Sequence, residues 1–200
     1  MSFDVDVTVR RGDAVIAAAF TAGEGATVLF GPSGVGKTSV LLMIAGLLRP
    51  DRGHVRVAGR TLFDGAARVN LAPERRRAGV VFQEARLFPH LSVAANLRYG
   101  ARDTSRLAET AARLDIAHLL DRWPRTLSGG EARRVAIART LLSAPDFLLL
   151  DEPLASLDRA RREEAMRMIE RVRDECGLPM LIVTHDPEEA ARLGARTIEM

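Results

Sequence analysis

The sequence predicts an α/β fold: a mostly parallel sheet with helices on its faces, a small antiparallel sheet before it, and an all-helical block inserted into it. Three observations carry this expectation. Apolar runs of strand length alternate with helical periodicity along much of the chain. One of those runs, Ala26-Thr27-Val28-Leu29-Phe30, leads through a glycine-rich loop into an apolar helix whose start is read at Ser39. From Gln83 to Ala144 the strand signals vanish and helical periodicity takes over.

Taken in order, Phe3, Val5, Val7 and Val9 alternate with polar residues, the period of a half-buried strand. Gly12-Asp13 makes a turn, and Ala14 to Phe20 reads as the antiparallel partner. The helix after the glycine-rich loop is expected to end near Arg49-Pro50-Asp51-Arg52-Gly53, a stop signal. His54–Ala58 and Arg60–Phe63 read as short strands around Gly59, and Ala78–Phe82 as a buried one. The helical block contains candidate segments at Val93–Tyr99, Ser105–Leu114, Ile116–Arg122 and Gly130–Ser143, with a loop over Ala101–Arg106. Strand chemistry resumes at Phe147–Leu150, followed by a charged helix from Asp158 to Glu175, a strand at Met180–Thr184 and a short helix at Pro187–Leu193.

The bulk numbers narrow the class. A chain of 200 residues, 47% hydrophobic and 28% charged, has the make-up of a globular protein able to bury a full core. Its longest strongly apolar run, Val40–Leu48, is too short to cross a bilayer. The opening Met1-Ser2-Phe3-Asp4 begins a strand pattern directly, so no signal segment is expected. Cys176 is the one cysteine, which excludes an internal disulfide and fits a reducing cytoplasm. The net charge of +3 is too weak to argue for nucleic acid, and none is expected as a partner.

The loop Gly31-Pro32-Ser33-Gly34-Val35-Gly36-Lys37-Thr38 fits G-x-x-x-x-G-K-[ST], the P-loop that wraps nucleotide phosphates. Its glycines let backbone N–H groups turn inward as an anion nest, at the N-terminus of the helix that Ser39 opens. Lys37 supplies a compact charge for the β- and γ-phosphates, and Thr38 offers a hydroxyl to Mg²⁺. Lys37 is the only lysine among the 29 basic residues, which supports a reason for keeping it.

Downstream, Phe147-Leu148-Leu149-Leu150 ends in Asp151-Glu152. After a P-loop, one carboxylate is needed to hold Mg²⁺ and another to orient and deprotonate the attacking water. Asp151 is assigned the first role and Glu152 the second. Leu127-Ser128-Gly129-Gly130-Glu131 stands at a helix start, where Ser128 caps and the glycines bare the backbone, a second anion site.

The P-loop, Gln83, Leu127–Glu131, Leu150-Asp151-Glu152-Pro153, Ala155-Ser156-Leu157-Asp158 and Thr184-His185-Asp186 occur in the order of the ABC ATPase family, which the chain resembles over essentially its whole length. The resemblance implies a P-loop NTPase core over 1–82 and 145–200 with a helical subdomain at 83–144, one domain in all. It implies ATP and Mg²⁺ as ligands and a head-to-tail dimer, homomeric or pseudo-symmetric. Each P-loop of that dimer faces Ser128, Gly129 and Gly130 of the other subunit. By resemblance Gln83 sits near Mg²⁺ and the water, Asp158 contacts the opposite subunit and His185 reaches the γ-phosphate. The stretch Gln83–Val93, with apolar Leu87, Phe88 and Leu91, resembles the importer groove that receives a helix of the membrane permease. With Leu71–Arg77 and Asn96–Gly100 it is most similar to the molybdate importer ATPases. Such a subunit lies peripherally on the cytoplasmic membrane face and meets the substrate-binding protein only indirectly.

Some positions depart from the family. Arg10–Val15 contains no aromatic side chain to stack on adenine. Arg133 stands where Gln is common, so different dimer contacts are expected there. The oxyanion-binding regulatory domain that usually follows in molybdate importer ATPases is expected to be absent. Arg75–Arg77 reads by default as a solvated basic face. Two alternatives are weaker. A soluble ABC ATPase of repair would carry a long coiled-coil insertion, and one of translation a second cassette. A non-catalytic regulatory subunit fits poorly with intact Glu152 and His185.

Overall fold

The computed structural model describes residues 2–23, 25–155 and 157–200. Ser156, part of one family motif, therefore lies outside the described residues, as do Met1 and Glu24.

Two five-stranded sheets form the frame. The first contains β1 (Phe3–Arg11), β2 (Ala14–Ala22), β4 (Arg52–Val57), β5 (Arg60–Asp64) and β6 (Val69–Asn70), antiparallel in the order β2-β1-β4-β5-β6. The second contains β3 (Ala26–Phe30), β7 (Ala78–Val81), β8 (Phe147–Asp151), β9 (Met180–Thr184) and β10 (Arg196–Glu199), all parallel in the order β10-β3-β9-β8-β7. Helix α1 (Lys37–Ala45) packs against β2, β8 and β9.

The inner parallel strands β3, β9 and β8 are largely apolar because both of their faces are covered, whereas the edge strand β10 is mostly exposed. In β8, Phe147 and Leu149 point into the core shared with α1 and the antiparallel sheet, while Leu148 and Leu150 point into the opposite core. Leu181 and Val183 of β9 likewise face the first, and Met180 and Ile182 the second. An edge-to-face pair of Phe3 and Phe147, with centroids 6.0 Å apart, joins the two sheets. The second core is closed by α5 (Gly129–Leu142) and α6 (Arg159–Cys176), whose buried faces include Val135, Ile137, Ile169 and Val172.

No strand lies between residues 83 and 144, which hold α3 (Val93–Arg98), α4 (Leu107–Arg113) and α5. Several boundaries differ from expectation. The stretch Ile116–Arg122 forms only a 3₁₀ turn at Ala117–Leu119, and Thr104–Arg106 within the expected loop is another. The strands β6 and β10 and the short helix α2 (Pro73–Arg76) are additions that apolar patterning did not signal.

The largest correction concerns α1 and Arg75–Arg77. Helix α1 stops at Ala45, well before Arg49, because Gly46 adopts a left-handed conformation at φ 82° and its N–H returns to Leu42 and Met43. A Cβ at Gly46 would strike the Arg76 guanidinium at 2.5 Å. Arg76 is fully buried and donates to the carbonyls of Met43, Ile44 and Leu71 and to Asn70 Oδ1, at 2.8–2.9 Å. It is therefore no part of a solvated face. A cation satisfying the last-turn carbonyls also meets the negative end of the helix dipole.

Candidate functional site

The parallel order of the second sheet gathers the predicted site. The P-loop follows β3, Gln83 lies just past β7, Asp151 ends β8 and His185 directly follows β9 (Met180–Thr184). These are the carboxyl ends of neighbouring strands, where open α/β sheets form their clefts.

The P-loop turns into α1 through Gly36, whose φ of 110° is a left-handed value that an L side chain rarely adopts. A Cβ there would also lie 2.6 Å from Ile16 Cγ2, so β2 roofs the loop closely. Lys37 is buried, and its Nζ donates to the carbonyls of Gly31 and Pro32 at 2.8 Å each. The start of α1 has no side-chain cap and no acidic residue in its first turn, which leaves its N–H groups for an anion. Ser39 sits in that first turn, half-buried.

Thr38 Oγ1 donates to Asp151 Oδ1 at 2.8 Å, linking the P-loop to the end of β8. Burial pushes the Asp151 carboxyl above the ordinary carboxylate range and the Glu152 charge adds to it, against the Thr38 hydrogen bond and the Lys37 and Arg86 charges. A buried carboxylate lacking a full cation partner beside a free-ligating hydroxyl is an oxygen donor set that fits Mg²⁺. Among the described residues no cluster of three or more His, Cys, Asp or Glu forms a metal cage.

Glu152 and His185 are brought together, with His185 Nδ1 3.3 Å from Glu152 Oε1. Glu152 has φ 44°, unusual for a residue with a side chain. Its backbone is held by an N–H bond to Val183 at 2.9 Å and by the Ala155 N–H at 3.2 Å. The turn bearing His185 is fixed by its neighbours. Thr184 donates to buried Glu189 at 2.6 Å and accepts from the Asp186 N–H at 3.1 Å, while Asp186 caps α7 (Pro187–Leu193) and pairs with Arg162 at 2.5 Å.

Other predicted residues stand apart within one chain. Ser128 caps α5, accepting from the Glu131 N–H at 3.3 Å, while the Glu131 carboxylate accepts from the Ser128 N–H at 2.6 Å. That bond, with the Ser128 hydroxyl, holds the Glu131 carboxyl below its usual range. Asp158 caps α6 through the Arg161 N–H at 3.0 Å. Among the described residues, no hydrogen bond joins Ser128, Gly129, Gly130 or Asp158 to the P-loop. The Gln83 side chain is exposed. Arg133, which stands where Gln is common, points into its own chain and is 8% exposed. At the turn of the β1–β2 hairpin, over Arg10–Val15, Val15 is exposed and no aromatic residue occurs.

Beside Gln83 an apolar cleft of about 390 Å³ is lined by Leu47, Pro73, Phe82, Phe88, Tyr99 and Thr140. Tyr99 and Leu47 are more than half exposed. The Phe88 ring lies 4.3 Å from that of Tyr99 and under the Arg139 guanidinium at 5.2 Å. The loop carrying Phe88 is clamped by Asn96, fully buried, which accepts from the Phe88 N–H at 2.9 Å and donates to the carbonyls of Phe88, Leu91 and Ser92. Sequence reading missed Asn96 as a functional support. Its signal was a polar residue on the apolar stripe of Val93 and Leu97, where burial demands partners.

The family model described as "ABC transporter" matches residues 17–155. The molybdenum import ATP-binding protein ModC of Brucella melitensis is 53% identical over 199 residues, covering 97% of this chain and 55% of that protein. ModC of Mesorhizobium japonicum is 51% identical over 204 residues, covering 99% and 55%. The chain thus spans about half the length of the curated relatives it matches. Among solved structures, cbiO1 from Clostridium perfringens, part of the ABC transporter complex cbiONQ, superposes with a TM-score of 0.83 at 26% identity, covering 100% of this chain and 85% of that one. The dimeric bacterial ABC transporter cassette MJ0796 gives 0.78 at 28% identity, covering 100% and 93%.

Proposed function

The chain belongs to the ABC transporter family, and we propose that it hydrolyses ATP to drive an importer of molybdate or a related oxyanion. The observation that carries the hydrolytic part is one sheet edge holding the Lys37 cradle, the Thr38–Asp151 pair and the Glu152–His185 pair together. The likeness to ModC supports the import part and the ion.

In this reading Lys37 exchanges its bonds to Gly31 and Pro32 for the β- and γ-phosphate oxygens, while the amides of Gly34, Val35, Gly36, Lys37 and Thr38 surround the phosphates. Thr38 and Asp151, with Gln83 nearby, hold Mg²⁺, which neutralises charge on the phosphate oxygens when bound. Glu152 orients the attacking water and takes its proton, and His185, in contact with that carboxylate, reaches the γ-phosphate. Ser128, Gly129 and Gly130 of a second copy close the site, with Asp158 at the same contact. ATP, better held by the closed dimer, shifts the population towards it, and hydrolysis reverses the shift.

No helix of the described chain is long and apolar enough to cross a membrane. We place the subunit peripherally on the cytoplasmic face, with the cleft of Leu47, Phe88 and Tyr99 receiving the permease. A tagged Glu152→Gln chain with ATP and Mg²⁺, applied to detergent-solubilised native membranes, tests this. Recovery of a polytopic permease is expected. Recovery of soluble proteins alone, from folded protein, would discard the importer and leave the ATPase chemistry to be judged by turnover.

A further inference from the structure

Helix α5, capped by Ser128, carries a buried arginine that neither the phosphate cradle nor the apolar cleft uses. Arg133 lies just over one turn inside that helix. Its two terminal nitrogens reach two different segments. Nη1 donates to the Pro153 carbonyl, and Nη2 donates to the Gln83 carbonyl at 3.0 Å. Pro153 directly follows Glu152, so one guanidinium holds the carbonyl of the residue after the proposed base and the backbone of the residue proposed to sit near Mg²⁺ and the water. A planar fork presents donors in fixed directions and suits two acceptors at once, whereas a lysine ammonium is a flexible point charge.

The place where Arg133 attaches is itself unusual. Glu152 has a left-handed φ of 44°, and such a backbone persists at a side-chain-bearing residue only where its surroundings over-determine it. The bonds to Val183 and from Ala155 fix the Glu152 peptide groups from within the same strand-loop layer. Arg133 supplies the restraint from α5. The other end of that short path is Ser128, the helix cap proposed to meet a nucleotide held by a second copy.

We propose that Arg133 is a positioning residue that couples the start of α5 to Glu152 and Gln83 of its own chain. Contact of Ser128 with the partner's nucleotide then reaches the proposed base and the Gln83 segment through one rigid turn of helix and one side chain. The inference rests on the ATPase reading above. It differs from a dimer-contact role for position 133, because the side chain is buried within its own chain.

The test pairs Arg133→Met, which keeps the buried stem without the donors, with Arg133→Lys, which keeps the charge and one donor direction. For Arg133→Met we expect kcat to fall about tenfold or more while ATP affinity stays within about twofold, the pattern of an interaction made towards the transition state. Amide hydrogen exchange is expected to quicken in peptides covering 83–87 and 152–155 and to stay unchanged in the β1–β2 hairpin. Arg133→Lys is expected to recover part of kcat. A kcat for Arg133→Met within about twofold of the unsubstituted chain would overturn the proposal, as would exchange that quickens everywhere together. If the unsubstituted chain turns over no ATP, the ATPase reading falls. Exchange at 83–87 and 152–155 then still decides whether Arg133 holds the two segments, quickening in support and constancy against.

Discussion

Two helix N-termini in this chain carry glycine-rich, phosphate-suited sequences, and they are built in opposite ways. At α1 the cap position is Gly36, with no side-chain acceptor and no acid in the first turn, so no side chain of the chain caps its N–H groups. At α5 a complete capping box forms, and the Glu131 carboxylate already takes the Ser128 N–H. The first is a ready anion receptor. The second satisfies itself, and a phosphate there must compete with an internal carboxylate. This contrast suits a site where the P-loop binds nucleotide in a single chain and the α5 end joins only when a second copy brings one.

The largest expected effect tests the open end. Lys37→Ala should weaken ATP binding by about a hundredfold, the scale of one charge-assisted contact of ~3 kcal/mol, measured by titration with a fluorescent nucleotide. The substitution removes no support from α5, so amide exchange across Ser128–Glu131 should stay unchanged.

Asp151→Asn comes next and separates ligand binding from stability. Burial raises the Asp151 carboxyl in the folded state, so the fold binds that proton more tightly than the unfolded chain does. The associated stability is present below the unfolded carboxyl range and is lost as pH rises through the raised folded value. Above that raised value the ionised carboxylate weighs against the ligand-free fold. We expect Asp151→Asn to raise the ligand-free Tm near pH 7 by about 2–4 °C, for ~1 kcal/mol, with the difference closing at acid pH. Mg²⁺-dependent turnover should be lost in the same variant. A lower Tm at pH 7 would contradict the burial argument.

The parts legible in the sequence were those where residue type and local backbone state coincide. The P-loop shows its glycines, its lysine and its flanking strand and helix in one continuous stretch, and the structure has the strand at Ala26–Phe30 and the helix from Lys37, two residues before the expected start. The strand β8, ending in Asp151, was likewise legible because both of its faces are apolar. What escaped was long-range satisfaction of buried polar groups. Nothing local distinguishes Arg76, a helix cap from 33 residues away along the chain, from its neighbours Arg75 and Arg77. The role of Arg133 inside its own chain escaped for the same reason, since the carbonyls it serves lie 50 and 20 residues away. The short strands β6 and β10 escaped because two to four residues give too little period to read.

At the closed end the expected effects are smaller. Ser128→Ala should cost about 1 kcal/mol of stability through the lost cap, read from denaturant unfolding. It should leave ATP affinity of the single chain unchanged and weaken ATP-driven pairing. Glu131→Gln should do least. Gln at that position still completes a capping box, so stability should change by no more than about 0.5 kcal/mol. Removing the competing charge should tighten ATP-driven pairing by about two- to fivefold, the range of one charge near a helix end, measured by sedimentation. Looser pairing would show that the Glu131 carboxylate does not compete with phosphate.

In this reading ATP held at the open helix end is completed by the closed helix end of another copy. Light scattering of the Glu152→Gln chain with saturating ATP and Mg²⁺ tests it most directly. The expected result is a doubling of mass on adding ATP, absent when Lys37→Ala is combined with Glu152→Gln. A single-chain mass at saturating, demonstrably bound ATP would contradict it.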